Sequence, residues 1–417
     1  MNKKSLQSIL ASCACIFVGM LLGLIVMIFL SIASKSLGIG TAFNGFGKLL
    51  AGPFASGNGR MIKRDLGNMI FYAVPLIFTG LSVAIAFKTG LFNIGAPGQY
   101  LMGTMGSLLV ALSIHASTSF GKVMVWVLAL IVGACLGALW GAIPGVFKSI
   151  LKVNEVIVCI MTNWIAANIV SWVFESSNLQ NVGEGKSGYL ITTKITGAST
   201  PKLGLDKLLP GSYLDCSIFI AIIVAVLMFI LLNKTVFGYE LKACGFNRNA
   251  SLYAGMNAKR NIILSMAIAG ALAAMGGALY YLNPGIEFNF KSVYMSLPAT
   301  GFNGIPVALL ASSNPLGVIF TALLLQYLAM GGQYLQGIGF NRYIADIIVA
   351  LIIYFAGFVR FFLELIQSAK AKKMEKAEAN AKADAMAGNV LDASPLPQDD
   401  LDGDETTDAK STDAKEV

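Results

Sequence analysis

Few side chains in this 417-residue sequence could do chemistry, and those placed to do it are neutral. Asn93, Gln99, Thr162, Asn163 and Asn168 stand inside or beside apolar runs. There, amides and hydroxyls either bond between helices or line a polar path. Asn163 and Asn168 are five residues apart, so they share a helix face only loosely. Charge is sparser. Asp346 follows Arg342 by four residues, a spacing that allows an ion pair on a helix, and Glu155 follows Lys152 and Asn154 at the mouth of a run. No Asp/Glu/His chain crosses the apolar zones, as a proton relay or cation site would require. The single histidine, His115, falls in an expected loop. The six cysteines are scattered without a C-x-x-C spacing, so they read as small apolar filler rather than metal or redox ligands. The residues therefore predict no catalytic group, no metal and no cofactor. What they offer is a lining suited to an uncharged polar solute, with interhelical hydrogen bonding as the equal alternative.

Gly185-Lys186-Ser187 ends like a phosphate-binding loop, but Gln180 stands where the first glycine belongs and no buried strand precedes it. A loop turn is the reading. If ATP drives this protein, another subunit must bind it.

The elements that position these residues follow from composition. The residues AVILMFWYC make up 56%, charged residues only 12%, and 44 glycines add to the apolar share; soluble domains carry about 25% charge. Mean hydropathy is +0.71. So few charges cannot cover a water-exposed sphere, which excludes a soluble enzyme, a nucleic-acid binder and a disulfide-built secreted domain. Residues 369–417 carry a net −5 and the rest +13. Basic charge beside apolar spans is the signature of loops near anionic headgroups.

Ten apolar runs are candidate crossings: about 9–33, 69–88, 90–113, 123–147, 155–174, 216–233, 261–282, 296–311, 315–332 and 343–363. Backbone amides in hydrocarbon must bond internally, and the runs lack barrel alternation, so they are expected to be helices. The predicted fold is an all-α integral membrane protein of about ten transmembrane helices in two inverted repeats with broken helices. Residues 1–35 read as a retained transmembrane anchor, because the long apolar core lies after Cys13, not before a cleavage site. An extracytoplasmic segment at 36–68, a transmembrane domain at 69–365 and a cytoplasmic tail at 366–417 follow. The tail is Ala/Lys/Glu-rich to about 387 and is expected to be disordered from about 392. Both termini are assigned to the cytoplasm of a multi-pass cell-membrane protein from the basic residues after the last run.

Two stretches are expected to break helical regularity at membrane depth: Gly90 to Gln99, and Ala299 to Pro306. Each joins Phe-Asn to glycine and proline, and corresponding interruptions in two halves of a chain point to inverted repeats around a central path. Gly133, Gly137, Gly141 and Gly145 recur every four residues, for close helix packing or a sliding surface.

The loop from Gly238 to Asn257 is too polar to span. Asn247 to Tyr253 is predicted to form a short helix, capped by Asn247 and ended by Gly255. Small residues Ala243, Gly245, Ala250, Ala254 and Gly255 predict a smooth knob that fits a partner's groove.

This loop is similar to the cytoplasmic coupling loop of ABC importer permeases. Leu91-Phe92-Asn93-Ile94-Gly95-Ala96-Pro97-Gly98-Gln99 resembles the signature of the branched-chain amino acid/simple-sugar permease family. With Asn154-Glu155-Val156-Ile157-Val158 and Met161-Thr162-Asn163, the resemblance is greatest to nucleoside-type members. It covers about residues 65–365. Proline at 97, where the family often has an acidic residue, is a departure, and the acidic tail lies outside the pattern. The resemblance implies a permease that does no covalent chemistry in the lipid bilayer. It implies an ABC ATPase subunit gripping the coupling loop, a substrate-binding lipoprotein delivering solute, and a second permease subunit, with a heterodimer preferred to a homodimer. Ala243, Gly245, Asn247, Ala250, Ala254 and Gly255 would then transmit force. Asn93, Gln99, Asn163 and Asn168 are placed near the substrate path by position alone. A simple-sugar permease is the nearest alternative, followed by an ion-coupled secondary transporter and a non-transporting scaffold.

Overall fold

In the computed structural model the described residues are 3–33, 38–191, 197–341 and 343–356, with scattered positions as far as 380. They are almost entirely helical: α1 (Lys3–Ala33), α2 (Ile39–Ala51), α3 (Gly59–Lys88), α4 (Ala96–Ser113), α5 (Ser119–Ser149), α6 (Glu155–Glu175), α7 (Ser217–Lys234), α8 (Val236–Phe246), α9 (Arg248–Tyr253), α10 (Ala258–Tyr281), α11 (Ala299–Leu310), α12 (Pro315–Gln333) and α13 (Tyr343–Ala356). The chain divides into two units, Met1–Leu363 and Glu364–Val417. The second is described only at scattered helical positions, and the expected disorder beyond 392 and the Arg342–Asp346 pair lie outside the described residues.

Among the described residues, seven helical stretches are long and apolar enough to cross a membrane: Cys13–Ala33, Gly59–Lys88, Ser119–Ser149, Glu155–Glu175, Ser217–Lys234, Ala258–Tyr281 and Pro315–Ile338. The runs expected at 90–113, 296–311 and 343–363 are not among them. α4 begins only after a break and buries nearly every side chain against protein. α11 has 12 residues, about 18 Å at 1.5 Å per residue, short of a hydrocarbon core of about 30 Å. α13 is described over 14 residues.

Packing radiates from α3 and α10, which are buried along most of their length, whereas α1, α5 and α7 have few fully buried residues. The glycine ladder explains the closest crossing. A Cβ on Gly137 would sit 2.1 Å from the Ala274 Cβ, and one on Gly141 would sit 2.4 Å from the Met266 carbonyl oxygen. Backbone meets backbone between α5 and α10, so these glycines serve packing. The segment 36–68, expected to be extracytoplasmic, is mostly helix over its described residues. α2 lies against α12, where Tyr327 donates to the Leu50 carbonyl at 2.9 Å, and α3 starts at Gly59, capped by the Asn58 side chain.

The loop-rich stretch 175–214 is pinned near its start. Lys186 pairs with Glu287 at 2.8 Å and with Glu184 at 3.4 Å, which raises the ammonium pKa through the Glu287 hydrogen bond. Gly185 ends a one-turn helix at Val182–Glu184. The P-loop-like triplet is a turn.

Candidate functional site

The first site is the break between α3 and α4. α3 ends at Lys88, and Gly90 turns the chain with φ +72°. Only from Ala96 does the helix resume, with Pro97 in its first turn, where the missing N–H costs nothing. The freed polar groups are held by side chains. Asn93 donates to Ser82 at 3.0 Å and to the Gln99 side-chain oxygen at 2.8 Å, and Gln99 donates back to Asn93 at 3.0 Å. Asn163 crosses from α6: its oxygen accepts from the Gly98 amide at 2.8 Å and its nitrogen donates to the Ile94 carbonyl at 2.9 Å. All three side chains are buried. The structure thus brings together Asn93, Gln99 and Asn163 as one cluster. It does not include Asn168, which is exposed and donates to the Trp164 carbonyl of its own helix at 2.8 Å.

The second stretch differs from expectation. Ala299 to Pro306 is not broken but lies within α11, with Pro306 inside the helix. α11 is held by close approach: a Cβ on Gly301 would sit 2.5 Å from the Pro97 Cα, and one on Gly304 would sit 2.5 Å from the Thr79 carbonyl carbon. Asn303 is exposed.

The second site is the knob. Asn247 caps α9, accepting from the Ala250 amide at 3.0 Å, and Gly255 leaves the helix at φ +80°, as the residue types demand. α9 is tied to α8 by the Cys244 thiol and Ser251 hydroxyl at 3.4 Å, and α10 to α8 by Asn261 and Glu240 at 3.0 Å. Ala250, Ala254 and Gly255 are exposed, and Ala243 is half-buried. The knob is not smooth, however. Phe246 is 96% exposed and Tyr253 93% exposed, with Leu252 beside them. These rings were missed in the sequence; Phe246 is the last residue of α8 and Tyr253 the last of α9.

The knob and the break touch. Gly245 packs on the turn before α4, where an added Cβ would lie 2.4 Å from the Lys88 carbonyl oxygen and 2.9 Å from the Gly90 amide nitrogen. Below, Thr89 and Ser265 hydroxyls bond at 2.7 Å. A displacement of α8 therefore meets the Gly90 turn backbone to backbone, with no flexible side chain between. At the α6 mouth Glu155 pairs with Lys148 at 2.7 Å, a partner one helix back from the expected Lys152. Among the described residues, no group of three or more His/Cys/Asp/Glu is placed to hold a metal ion.

Residues 66–357 match the family described as branched-chain amino acid transport system / permease component. The chain belongs to this permease family. The permease is 38% identical over 319 residues to the nucleoside ABC transporter permease protein NupB of Lactococcus lactis subsp. cremoris, covering 76% of this chain and 85% of that one. It is 38% identical to the guanosine ABC transporter permease protein NupP of Bacillus subtilis, covering 70% and 80%. It is 28% identical to the glucose ABC transporter permease protein TsgB13 of Haloferax volcanii, covering 71% and 77%. No solved structure matches the permease. As a permease it is a multi-pass membrane component and not an enzyme.

Proposed function

We propose that this permease forms the nucleoside pathway of an ABC importer, driven by a separate ATPase subunit and fed by a substrate-binding lipoprotein. The observation that carries the reading is the 38% identity to the NupB and NupP permeases across more than two thirds of the chain. The uncharged character of Asn93, Gln99 and Asn163 supports it, since a neutral polar solute needs hydrogen-bonding partners and no counter-charge. In this reading Asn93, Gln99, Asn163 and Asn168 lie along the path, the first three by shaping its wall.

The α8–α9 knob, with Ala243, Gly245, Asn247, Ala250, Ala254 and Gly255, docks the ATPase, and Phe246 and Tyr253 are its anchors. That places residues 238–257 and both termini in the cytoplasm. The basic residues Lys234, Lys242, Arg248, Lys259 and Arg260 around the knob support that side. The two glycine-rich stretches, on α4 and α11, are taken as echoes of inverted repeats, with α4, α11 and α13 completing about ten membrane segments. A second permease, an unlike sister chain in preference to another copy, covers the exposed faces. Residues 1–35 serve as a membrane anchor and 366–417 as a cytoplasmic tail dispensable for uptake.

Labelled nucleoside uptake, compared between cells with and without this gene, tests the reading. Loss of nucleoside uptake is expected. Intact nucleoside uptake with lost sugar uptake would favour a sugar permease, the reading that the TsgB13 likeness supports.

A further inference from the structure

A cavity of about 340 Å³ opens beside the hydrogen-bonded cluster, between α6 and the stretch leading into α11. Its walls include the rings of Trp164 and Phe302, the side chains of Met295 and Leu297, the Asn163 amide and Ser296. None of its lining residues is ionisable. The volume falls within the range of small-molecule sites, roughly 300–1,000 Å³. The start of α4 lies close by: Gly98 packs on Asn163, and Pro97 packs on Gly301, next to Phe302.

Three polar side chains on the bounding elements are exposed: Asn168, one turn beyond Trp164, Ser296 in the lining, and Asn303 next to Phe302. Polar side chains within membrane spans favour a bundle interior or a water-filled cavity. Trp164 is 43% exposed, so a large ring is presented to that space without being packed away.

We propose that this cavity is the nucleobase site of the permease, with Trp164 and Phe302 gripping the base and Asn163 reading its edge. The proposal rests on the nucleoside reading and adds to it the residues that would recognise the solute. Asn163 is fixed by Gly98 and Ile94, which use one lone pair of its oxygen and one hydrogen of its nitrogen. One N–H and one oxygen lone pair of the Asn163 amide are left over from these two bonds. An ion would find no counter-charge here, and a wholly apolar solute would strand these polar groups. A flat, neutral ring with donors and acceptors on its edge satisfies the aromatic faces and the amide together. Stacking on aromatic side chains is the general way proteins hold bases without charge.

The test uses the complete importer, with its ATPase, binding protein and second permease, in sealed vesicles supplied with ATP. Uptake of adenosine, guanosine and ribose is measured for wild type, W164A, W164F and W172A, alongside ATP hydrolysis. Trp172 is a control, being exposed on the same helix but outside the cavity lining. The expected result is a loss of nucleoside uptake on the order of tenfold in W164A, the size of one lost base–aromatic stack. W164F should recover most of it, and W172A should match wild type in both uptake and ATP hydrolysis. W164A importing nucleoside as well as wild type overturns the site while leaving the proposed function standing. Wild-type vesicles that take up ribose and no nucleoside overturn the proposed function first. Should W164A fail to assemble, photolabelling of the wild-type complex with 8-azidoadenosine decides: label within 160–168 or 295–303 supports the site, and label only elsewhere overturns it.

Discussion

Two stretches of this permease share Phe-Asn, glycine and proline, yet they fold differently. From Gly90 to Gln99 the helix is interrupted, and its asparagine is fully buried in a hydrogen-bonded cluster. From Ala299 to Pro306 the helix continues, and its asparagine faces outward. The difference lies in partners and not in composition. Gly90 at positive φ starts the first break; the Asn93 and Asn163 side chains pair with the backbone groups of Gly95, Gly98 and Ile94, and Ser82 and Gln99 hold Asn93 in place. In the second stretch Gly301 and Gly304 have ordinary helical backbone and serve only to let α11 approach Pro97 and Thr79. One region spends its polar groups on its own shape. The other leaves them available.

The sharpest way to break this comparison is Asn163→Leu. It leaves the Gly98 amide and the Ile94 carbonyl buried without their present partner. Each orphaned group costs about 1–3 kcal/mol, so the purified permease should lose about 2–4 kcal/mol of stability. A drop in the thermal unfolding midpoint in detergent measures it. A midpoint equal to wild type would mean that the cluster does not hold the break together.

Gly245→Val should come next. Its Cβ would press on the Lys88 carbonyl oxygen, 2.4 Å away, and forcing extra carbon into a packed contact costs about 1–3 kcal/mol. The backbone there must move, and with it the turn at Gly90. ATP hydrolysis in the assembled importer should persist while uptake per ATP falls. Unchanged uptake per ATP would show that the knob and the break are mechanically independent.

What could be read from the sequence divides along the same line. Local chemistry was legible: Asn247 as a cap, Gly255 as a stop, the glycine ladder of α5, and the break at Gly90. Each depends on residues within a few positions of one another. The long-range partners were not. Nothing near Asn163 announces that it bonds the Gly98 amide 65 residues earlier, and Asn168 has the same residue type but the opposite environment. Pro306 suggested an interruption that α11 absorbs. Phe246 and Tyr253 drew no attention in the sequence; each is the last residue of a short helix, α8 and α9, and both rings stay outside.

Replacing Phe246 and Tyr253 together by alanine tests the outward-facing rings of the knob. Both are almost fully exposed, so the permease's own stability should stay within about 0.5 kcal/mol of wild type. Large aromatic side chains dominate docking surfaces, where truncation of an anchor commonly costs above about 1 kcal/mol. Co-purification of the ATPase should therefore fall several-fold at unchanged permease yield. Ala254→Trp, at an exposed helix end with negative φ, should reduce docking by bulk instead. Normal ATPase recovery from both variants would remove the knob from the docking surface.

The mildest expected change sharpens the comparison most. Asn303→Leu alters the asparagine that corresponds to Asn93, but on the exposed side of α11. Among the described residues no side-chain hydrogen bond to Asn303 accompanies the helix, in contrast to the bonds that surround Asn93. Stability should shift by no more than about 0.5 kcal/mol, whereas Asn93→Leu, which strands Gln99 and Ser82 in a buried site, should cost about 1–3 kcal/mol. Comparing the two thermal midpoints in one detergent isolates the role of position from that of residue type. Equal losses would mean that Asn303 is also a structural asparagine, and that the polar groups of the second stretch are committed to the fold as fully as those of the first.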